Sequence, residues 1–118
     1  MIKLYTYKNC GTCKKAIKWL DKKNIRYTVI PIRETPPSKK ELLQMLEMYN
    51  DELKFLFNTS GQDYRDLNLK EKRLTMPVIK QIELLSSNGN LVKRPFLISN
   101  KVKHVGFKVD VWEESFIS

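Results

Sequence analysis

The chain contains two cysteines, which stand two residues apart in the segment Cys10-Gly11-Thr12-Cys13. An alternation of apolar residues over positions 2–7 precedes this pair, and a helical pattern follows it. A thiol pair at a strand-to-helix junction can be a reactive redox couple, because the N-terminus of a helix stabilises a thiolate. The spacing and the setting together predict thiol–disulfide exchange.

The two cysteines are predicted to have different tasks. Cys10 precedes the first helical turn, so its sulfur can face solvent and the free N–H groups, and we expect it to be the nucleophile. Cys13 lies one turn inside the helix and would resolve a mixed disulfide. Gly11 keeps the backbone open to a partner, and Thr12 is a small polar neighbour. A structural cysteine pair without chemistry stays open as the alternative.

Metal binding is another common use of paired cysteines. A closed zinc site needs about four ligands from Cys and His. The sequence offers two cysteines and one histidine, His104, far along the chain. We therefore expect no metal within one chain and no cofactor, with a metal shared between two copies as the alternative.

Length and composition suit one domain over residues 1–118. No apolar run approaches the roughly 18–20 residues of a membrane span, and no signal-peptide pattern opens the sequence. We therefore expect a cytoplasmic protein without membrane contact. Thiols are kept reduced in that compartment, which favours a catalytic or redox-sensing pair over a structural disulfide.

The net charge of +9 is concentrated towards the N-terminus. Residues 1–33 carry nine Lys and Arg residues and one acidic residue, Asp21. This balance favours an acidic protein surface, an anionic substrate or nucleic acid as a partner, although the sequence has no direct nucleic-acid motif. A solvated face of the first helix is the alternative explanation.

The first third of the chain predicts a β-α-β unit. Residues 2–7 and 26–32 have strand patterns on either side of a helix over 11–23. One crossover helix between two strands implies a right-handed parallel connection. The next helix is expected to begin with a capping box formed by Ser38 and Glu41.

The rest of the chain predicts short helices followed by a β-β-α unit. Leu91–Ile98 and Lys101–Val105 have strand patterns separated by two residues, which predicts an antiparallel hairpin. Apolar residues over 109–117 then predict a final helix. The whole is an α/β chain with a mixed four-stranded sheet, in the order β-α-β, helical insertion, β-β-α.

A cysteine pair after the first strand of this arrangement is typical of thioredoxin-fold proteins. That fold places a cis-proline at the start of its third strand, beside the thiols. The candidate here is Pro95, which opens the apolar run after Lys93 and Arg94. An ordinary trans proline at a strand start is the alternative.

The chain also resembles the arsenate reductase-like family, which includes the ArsC, Spx and MgsR proteins. The resemblance rests on the segments YTYKNCGTCKKAIKWL, IRETPPSKKEL, FNTSGQDYRDLNL, VKRPFLI and VGFKVDVWEE, in this order. It implies a thioredoxin-like core over about residues 1–33 and 89–118, and a helical insertion over about 34–88. It also implies that Pro95 is the cis-proline and that Arg94 is the anion-contacting arginine of the family.

Arsenate reductases of this family imply one set of site residues. They use one cysteine at the position of Cys10, with glutathione and glutaredoxin, and hold the oxyanion with three arginines, whose forks suit bidentate binding. Arg94 matches one of these arginines. Asn58 stands where a second is expected, and the segment 105–107 offers none. This departure makes arsenate reduction the weaker prediction.

Spx-type regulators imply another function. They keep the cysteine pair as a redox switch and bind the C-terminal domain of the RNA polymerase α subunit. The pair itself and Arg94-Pro95 fit that group, but the glycine that these regulators need for polymerase contact is absent from Leu42–Phe57.

Our prediction is a thiol–disulfide redox protein that uses Cys10 and Cys13, supported by Gly11, Thr12 and the Arg94-Pro95 pair. Its partners would be proteins or low-molecular-weight thiols, and the chain is expected to be a monomer. The alternative is a redox-sensing regulator that binds the polymerase α subunit. The two differ in turnover, which decides whether the protein is an enzyme.

Overall fold

The computed structural model describes residues 1–117, and the side chains of residues 1–116. Its regular elements are, in chain order, β1 (Lys3–Thr6), α1 (Gly11–Lys22), β2 (Thr28–Pro31), α2 (Lys39–Met48), α3 (Gln62–Asp66), α4 (Leu69–Lys72), α5 (Val78–Ser87), β3 (Phe96–Ile98), β4 (Lys103–Val105) and α6 (Val109–Ile117), with short 3₁₀ helices at Leu53–Leu56 and Gly89–Leu91. None of the helices in this part of the chain is long and apolar enough to cross a membrane.

The four strands form one mixed sheet in the order β2-β1-β3-β4. β1 runs parallel to β2 and antiparallel to β3, so Leu4 lies between Val29 and Leu97. β4 runs antiparallel to β3 and places His104 opposite Leu97. The predicted mixed four-stranded sheet and the β-α-β and β-β-α units are confirmed.

Helix α1 forms because its apolar residues recur at helical spacing. Cys13, Ala16 and Leu20 are buried on one face, whereas the lysines between them are exposed. The chain leaves the helix through Asn24, which has a positive φ of 57°. Asparagine tolerates this left-handed conformation better than most residues, so the local sequence ends the helix and returns the chain towards β2.

Both faces of the sheet are covered. Successive residues of a strand point to opposite faces, so Leu4 and Tyr5 belong to different clusters. On one face α1 and α6 pack against the sheet, and this cluster contains Leu4, Ala16, Leu20, Leu97 and Trp112. On the other face the helices between β2 and β3 pack against it, and this cluster includes Tyr5, Leu42, Leu56, Ile82 and Phe96.

The third strand is shorter than predicted. The sequence predicts one strand over Leu91–Ile98, but the sheet contains only Phe96–Ile98. Leu91 ends a 3₁₀ helix, and Val92 forms a single bridge with Phe57. Pro95 has no N–H to donate to a ladder, so regular pairing begins after it.

Glu41 connects the second helix to the sheet. The predicted capping box with Ser38 is present at the start of α2. The same carboxylate accepts hydrogen bonds from Tyr5 Oη at 2.6 Å and from Lys3 Nζ at 3.1 Å. Burial alone would raise the pKa of Glu41, but the bonds from Tyr5, Ser38 and Lys3 together hold it below its usual value.

We predict that Glu41→Gln destabilises the protein by about 1–3 kcal/mol at pH 7. Because the folded-state pKa of Glu41 is lowered, its carboxylate stabilises the fold above its ordinary pKa of 4.5 and loses this effect as the pH falls. Urea unfolding at pH 7 and at pH 3.5 should therefore show a smaller difference between variant and wild type at the lower pH. Glu47→Gln, on an exposed position of the same helix, is the matched control; an equal loss in that variant would contradict the assignment.

Candidate functional site

Cys10 lies at the N-cap of α1, where strand β1 has ended and the helix begins. Its backbone is extended, and its carbonyl accepts the first helical hydrogen bond, from Lys14 N at 3.1 Å. Its Sγ accepts a hydrogen bond from the backbone N–H of Cys13 at 3.2 Å. The sulfur is half-buried and sits at the positive end of the helix, a position that stabilises a negatively charged sulfur.

Cys13 has the opposite environment although it is one helical turn away. Its side chain is 1% exposed, because it packs beneath α1 with the apolar face of the helix. Burial raises the pKa of Cys13 to about 12, and a hydrogen bond to Cys10 and the charge of Cys10 act in the same direction. The Tyr7 backbone and Arg94 oppose this shift. Cys13 is therefore a neutral thiol at neutral pH.

Neither cysteine is joined to another residue by a disulfide bond. One sulfur is accessible and hydrogen-bonded by an N–H, and the other is shielded and protonated beside it. A dithiol arranged in this way can attack an external disulfide through the outer sulfur and then close internally.

The two residues between the cysteines are both exposed. A side chain at Gly11 would meet no atom within 4 Å, so the fold itself does not require glycine there. The helix therefore begins with an unobstructed backbone surface on which a partner can approach Cys10. Thr12 faces a groove that also involves α6.

The peptide bond between Arg94 and Pro95 is cis. Pro95 is buried directly before β3, the strand that pairs with β1. Arg94 is near enough to the dithiol for its charge to lower the pKa of Cys13, and its guanidinium carbon lies 5.0 Å from the centre of the Tyr7 ring. The structure therefore brings the sequence-predicted Arg94-Pro95 pair to the end of β1 where the cysteines lie.

Arg33 joins this region, and the sequence-based prediction did not include it. Its guanidinium carbon lies 4.6 Å from the centre of the Tyr7 ring, and its Nη1 donates to Tyr7 Oη at 2.8 Å. Together with Arg94 and Asn58 these residues line a pocket of about 150 Å³. The sequence did contain a signal for Arg33. The predicted parallel strands β1 and β2 end at the same edge of the sheet, so the residues that follow them, Tyr7 and Arg33, are expected side by side.

His104 does not belong to this region. Its ring stacks on Trp112 with the centres 5.8 Å apart, and its Nε2 lies 2.7 Å from Ser115 Oγ. Burial lowers the pKa of His104, which therefore stays neutral at neutral pH. Its role is to pack β4 against α6.

The model of the ArsC family matches residues 5–115. The chain belongs to the ArsC family. It is 48% identical over 112 residues to the uncharacterized protein YusI of Bacillus subtilis (strain 168), with 95% of each chain covered. It is also 32% identical over 110 residues to the global transcriptional regulator Spx of Listeria innocua, covering 93% of this chain and 82% of the relative.

Solved structures give the same result for the fold. The crystal structure of an ArsC family related protein from Bacteroides fragilis superimposes with a TM-score of 0.89 at 40% identity, covering 97% of this chain and 96% of that one. The predicted family and the predicted thioredoxin-like fold are therefore confirmed.

We predict that Cys13 makes the fold sensitive to alkaline pH. Its pKa is about 12 in the folded protein against an ordinary 9.0, so its neutral form stabilises the fold below pH 9, and this contribution is lost as the pH rises towards 12. Under reducing conditions, wild type should lose up to about 2 kcal/mol more than Cys13→Ala between pH 7 and pH 10.5. Parallel losses in urea unfolding would contradict this. Tyr5 and Tyr27 also have raised pKa values, but they are common to both proteins and cancel in the comparison.

Proposed function

We propose that this member of the ArsC family is a thiol–disulfide redox protein in which Cys10 attacks and Cys13 resolves. The observation that supports this most strongly is the different environment of the two sulfurs. Cys10 Sγ accepts the N–H of Cys13 at the helix start, whereas the thiol of Cys13 is buried behind it. Because the pKa of Cys13 is raised, the outer sulfur is the one available to attack a disulfide.

In the first step the Cys10 thiolate attacks one sulfur of a partner disulfide. A new bond forms between Cys10 and that sulfur, and the old sulfur–sulfur bond breaks. The second partner sulfur leaves with the electron pair and is protonated from solvent. Cys10 is only half-buried and the space beside Gly11 is open, which leaves room for a partner sulfur to reach Cys10.

In the second step Cys13 loses its proton, its sulfur forms a bond with Cys10 Sγ, and the bond between Cys10 and the partner sulfur breaks. The partner sulfur leaves with the electron pair and is protonated, which releases the partner as a thiol. Once Cys10 is held in a mixed disulfide, its sulfur is neutral and a poorer hydrogen-bond acceptor. Two of the effects that raise the pKa of Cys13 are then weakened, whereas the charge of Arg94 still lowers it. The first step therefore favours deprotonation of the sulfur that performs the second. The partner has gained two electrons, and the protein now carries a Cys10–Cys13 disulfide. An external thiol must reduce this disulfide before the next turnover.

The remaining site residues support these steps in the proposal. Arg94 supplies a positive charge near the dithiol, and Pro95 fixes the chain beside it at the start of β3. Gly11 leaves access to the sulfur, and Thr12 gives a small polar surface next to it. We expect the chain to act as a monomer in the cytoplasm, where thiol reductants keep cysteines reduced.

A redox-sensing regulator is the second candidate, and the identity of 32% to Spx supports it. The same cysteine pair would then change a protein-binding surface instead of turning over. The resemblance to Spx-type regulators implies that the partner would be the C-terminal domain of the RNA polymerase α subunit. The described segment Leu42–Phe57, which contains most of α2 and the 3₁₀ helix after it, lacks the glycine that this contact is expected to need.

Arsenate reduction has less support. Arg33 adds a second guanidinium to Arg94 around Tyr7, but the same small pocket is lined by Asp63, whose carboxylate accepts bonds from Asn88 and Asn90. A carboxylate among the lining residues opposes a multiply charged oxyanion.

We predict that Cys13→Ser converts the protein into a trap. It should accumulate a covalent mixed disulfide at Cys10, because the sulfur that releases the partner is missing, whereas Cys10→Ser should form none. Incubation with an oxidised model protein, followed by non-reducing electrophoresis and peptide mass spectrometry, measures this. Equal trapping by both variants, or trapping at Cys13 in the Cys10→Ser variant, would contradict the assigned roles.

Turnover separates the two candidates. With a thiol reductant in excess, the redox protein should reduce many equivalents of a protein disulfide, whereas a switch should react once. The purified C-terminal domain of the polymerase α subunit should show no saturable binding in calorimetry with either the oxidised or the reduced protein. Tight binding that depends on the redox state, together with single turnover, would favour the regulator.

A further inference from the structure

A second concave surface lies beside the dithiol and takes no part in the steps above. It is a groove of about 520 Å³ between the first turn of α1, the region after α2, and the connection from β4 to α6. We call it the α1–α6 groove. Its lining residues are Thr12, Tyr49, Phe55, Lys93, Val105, Gly106, Phe107, Lys108, Val111 and Trp112.

Hydrogen bonds in its walls hold the groove in shape. Tyr49 Oη accepts the N–H of Val105 at 3.0 Å and donates to its carbonyl at 3.4 Å, which fixes the end of α2 against β4. Gly106 has a φ of 73°, which favours glycine, and its N–H donates to the Pro95 carbonyl at 2.9 Å. The groove is therefore tied to the same proline that precedes β3 beside the cysteines.

The groove combines an apolar wall with positive charge at its rim. Phe55 and Val111 remain 50% and 44% exposed, although both are large apolar residues. Lys93 and Lys108 are exposed beside them. Among the described residues that line the groove, none is acidic. The surface is complementary to a ligand that carries an apolar group and a negative charge.

The position of the groove relates it to the reaction at Cys10. Thr12 belongs both to the segment between the cysteines and to the groove. When the cysteine of a polypeptide is bonded to Cys10, the residues next to that cysteine lie beside this surface and can contact it. Strand pairing is blocked at Val105, because Tyr49 already occupies both of its backbone groups on the outer edge of the sheet. A partner in this groove must therefore bind through its side chains.

We propose that the α1–α6 groove binds the polypeptide segment next to the attacked cysteine of the partner protein, and that it selects segments with an apolar and an acidic side chain. This inference rests on the proposed function, since it names the class of substrate for the same dithiol. The positive charge of Lys93 and Lys108 at the rim favours an acidic partner segment over a second copy of this chain. A second copy of this chain, with a net charge of +9 and the same lysines, would be repelled.

Two synthetic peptides test the proposal. Each carries one cysteine as a pyridyl disulfide next to a phenylalanine, and they differ only in an aspartate or a lysine beside it. Attack by Cys10 forms the Cys10–peptide disulfide and releases 2-thiopyridone, whose absorbance gives the rate. Wild type should react about tenfold faster with the aspartate peptide, a difference of about 1.4 kcal/mol in the barrier. Equal rates with the two peptides would overturn the proposal.

Reversing the charge of the two rim lysines tests whether the groove causes the preference for the aspartate peptide. Lys93→Glu combined with Lys108→Glu should abolish or reverse the preference for the aspartate peptide. Lys70→Glu combined with Lys101→Glu reverses two exposed lysines that do not line the groove, changes the net charge by the same amount, and is the matched control that should keep it. An equal loss in this control would show that net charge, not the groove, selects the peptide, and would overturn the proposal. Val111→Asp should slow the aspartate peptide more than the lysine peptide, because it places a like charge on the apolar wall.

A small neutral disulfide separates this inference from the function on which it rests. 2,2′-Dithiodipyridine reaches Cys10 without filling the groove, so its reaction with the charge-reversal variant should stay within about twofold of wild type. If wild type reacts with it but shows no preference between the peptides, only the groove proposal fails. If wild type does not react with it at Cys10, the proposed function fails as well.

Discussion

The site depends on where the first helix begins. Strand β1 ends at Thr6, the chain turns through a hydrogen bond from Cys10 N to the Tyr7 carbonyl, and α1 starts at Gly11. This turn places the Cys10 sulfur over the free N–H groups of the first helical turn, where Cys13 N–H meets it at 3.2 Å. A helix that began one residue earlier or later would remove this contact.

The same turn gives two identical side chains different chemistry. One sulfur lies at the N-cap outside the helix, and the other lies on the buried face of α1 with Ala16 and Leu20. The sheet then brings distant segments to this point, because β1 lies between β2 and β3. Arg33 follows β2 and Arg94 precedes β3, and both lie against the Tyr7 ring. Tyr7 contacts both Arg33 and Arg94, so one ring at the end of β1 organises the positive charge of the region.

Local signals in the sequence were sufficient for part of this arrangement. The cysteine spacing, the capping box at Ser38 and the proline before β3 each depend on neighbouring residues, and each could be located in advance. The length of the third strand could not, because the apolar residues Leu91 and Val92 have the same appearance whether they pair in a sheet or pack in the core beside a single bridge. Arg33 could have been located from the predicted parallel pairing of β1 and β2, which end at the same edge of the sheet. The α1–α6 groove could not, because it depends on how α1, the segment after α2 and the β4–α6 connection pack together in three dimensions.

The most direct test of the account is whether the two sulfurs join when the protein is oxidised. Treatment with oxidised glutathione, followed by acid quenching and peptide mass spectrometry, should give an internal disulfide between Cys10 and Cys13 and little lasting glutathione adduct. The physical reason is that Cys13 lies beside Cys10 in the same helical turn and attacks faster than an external thiol can. A stable glutathione adduct on Cys10 with Cys13 still a free thiol would contradict the account.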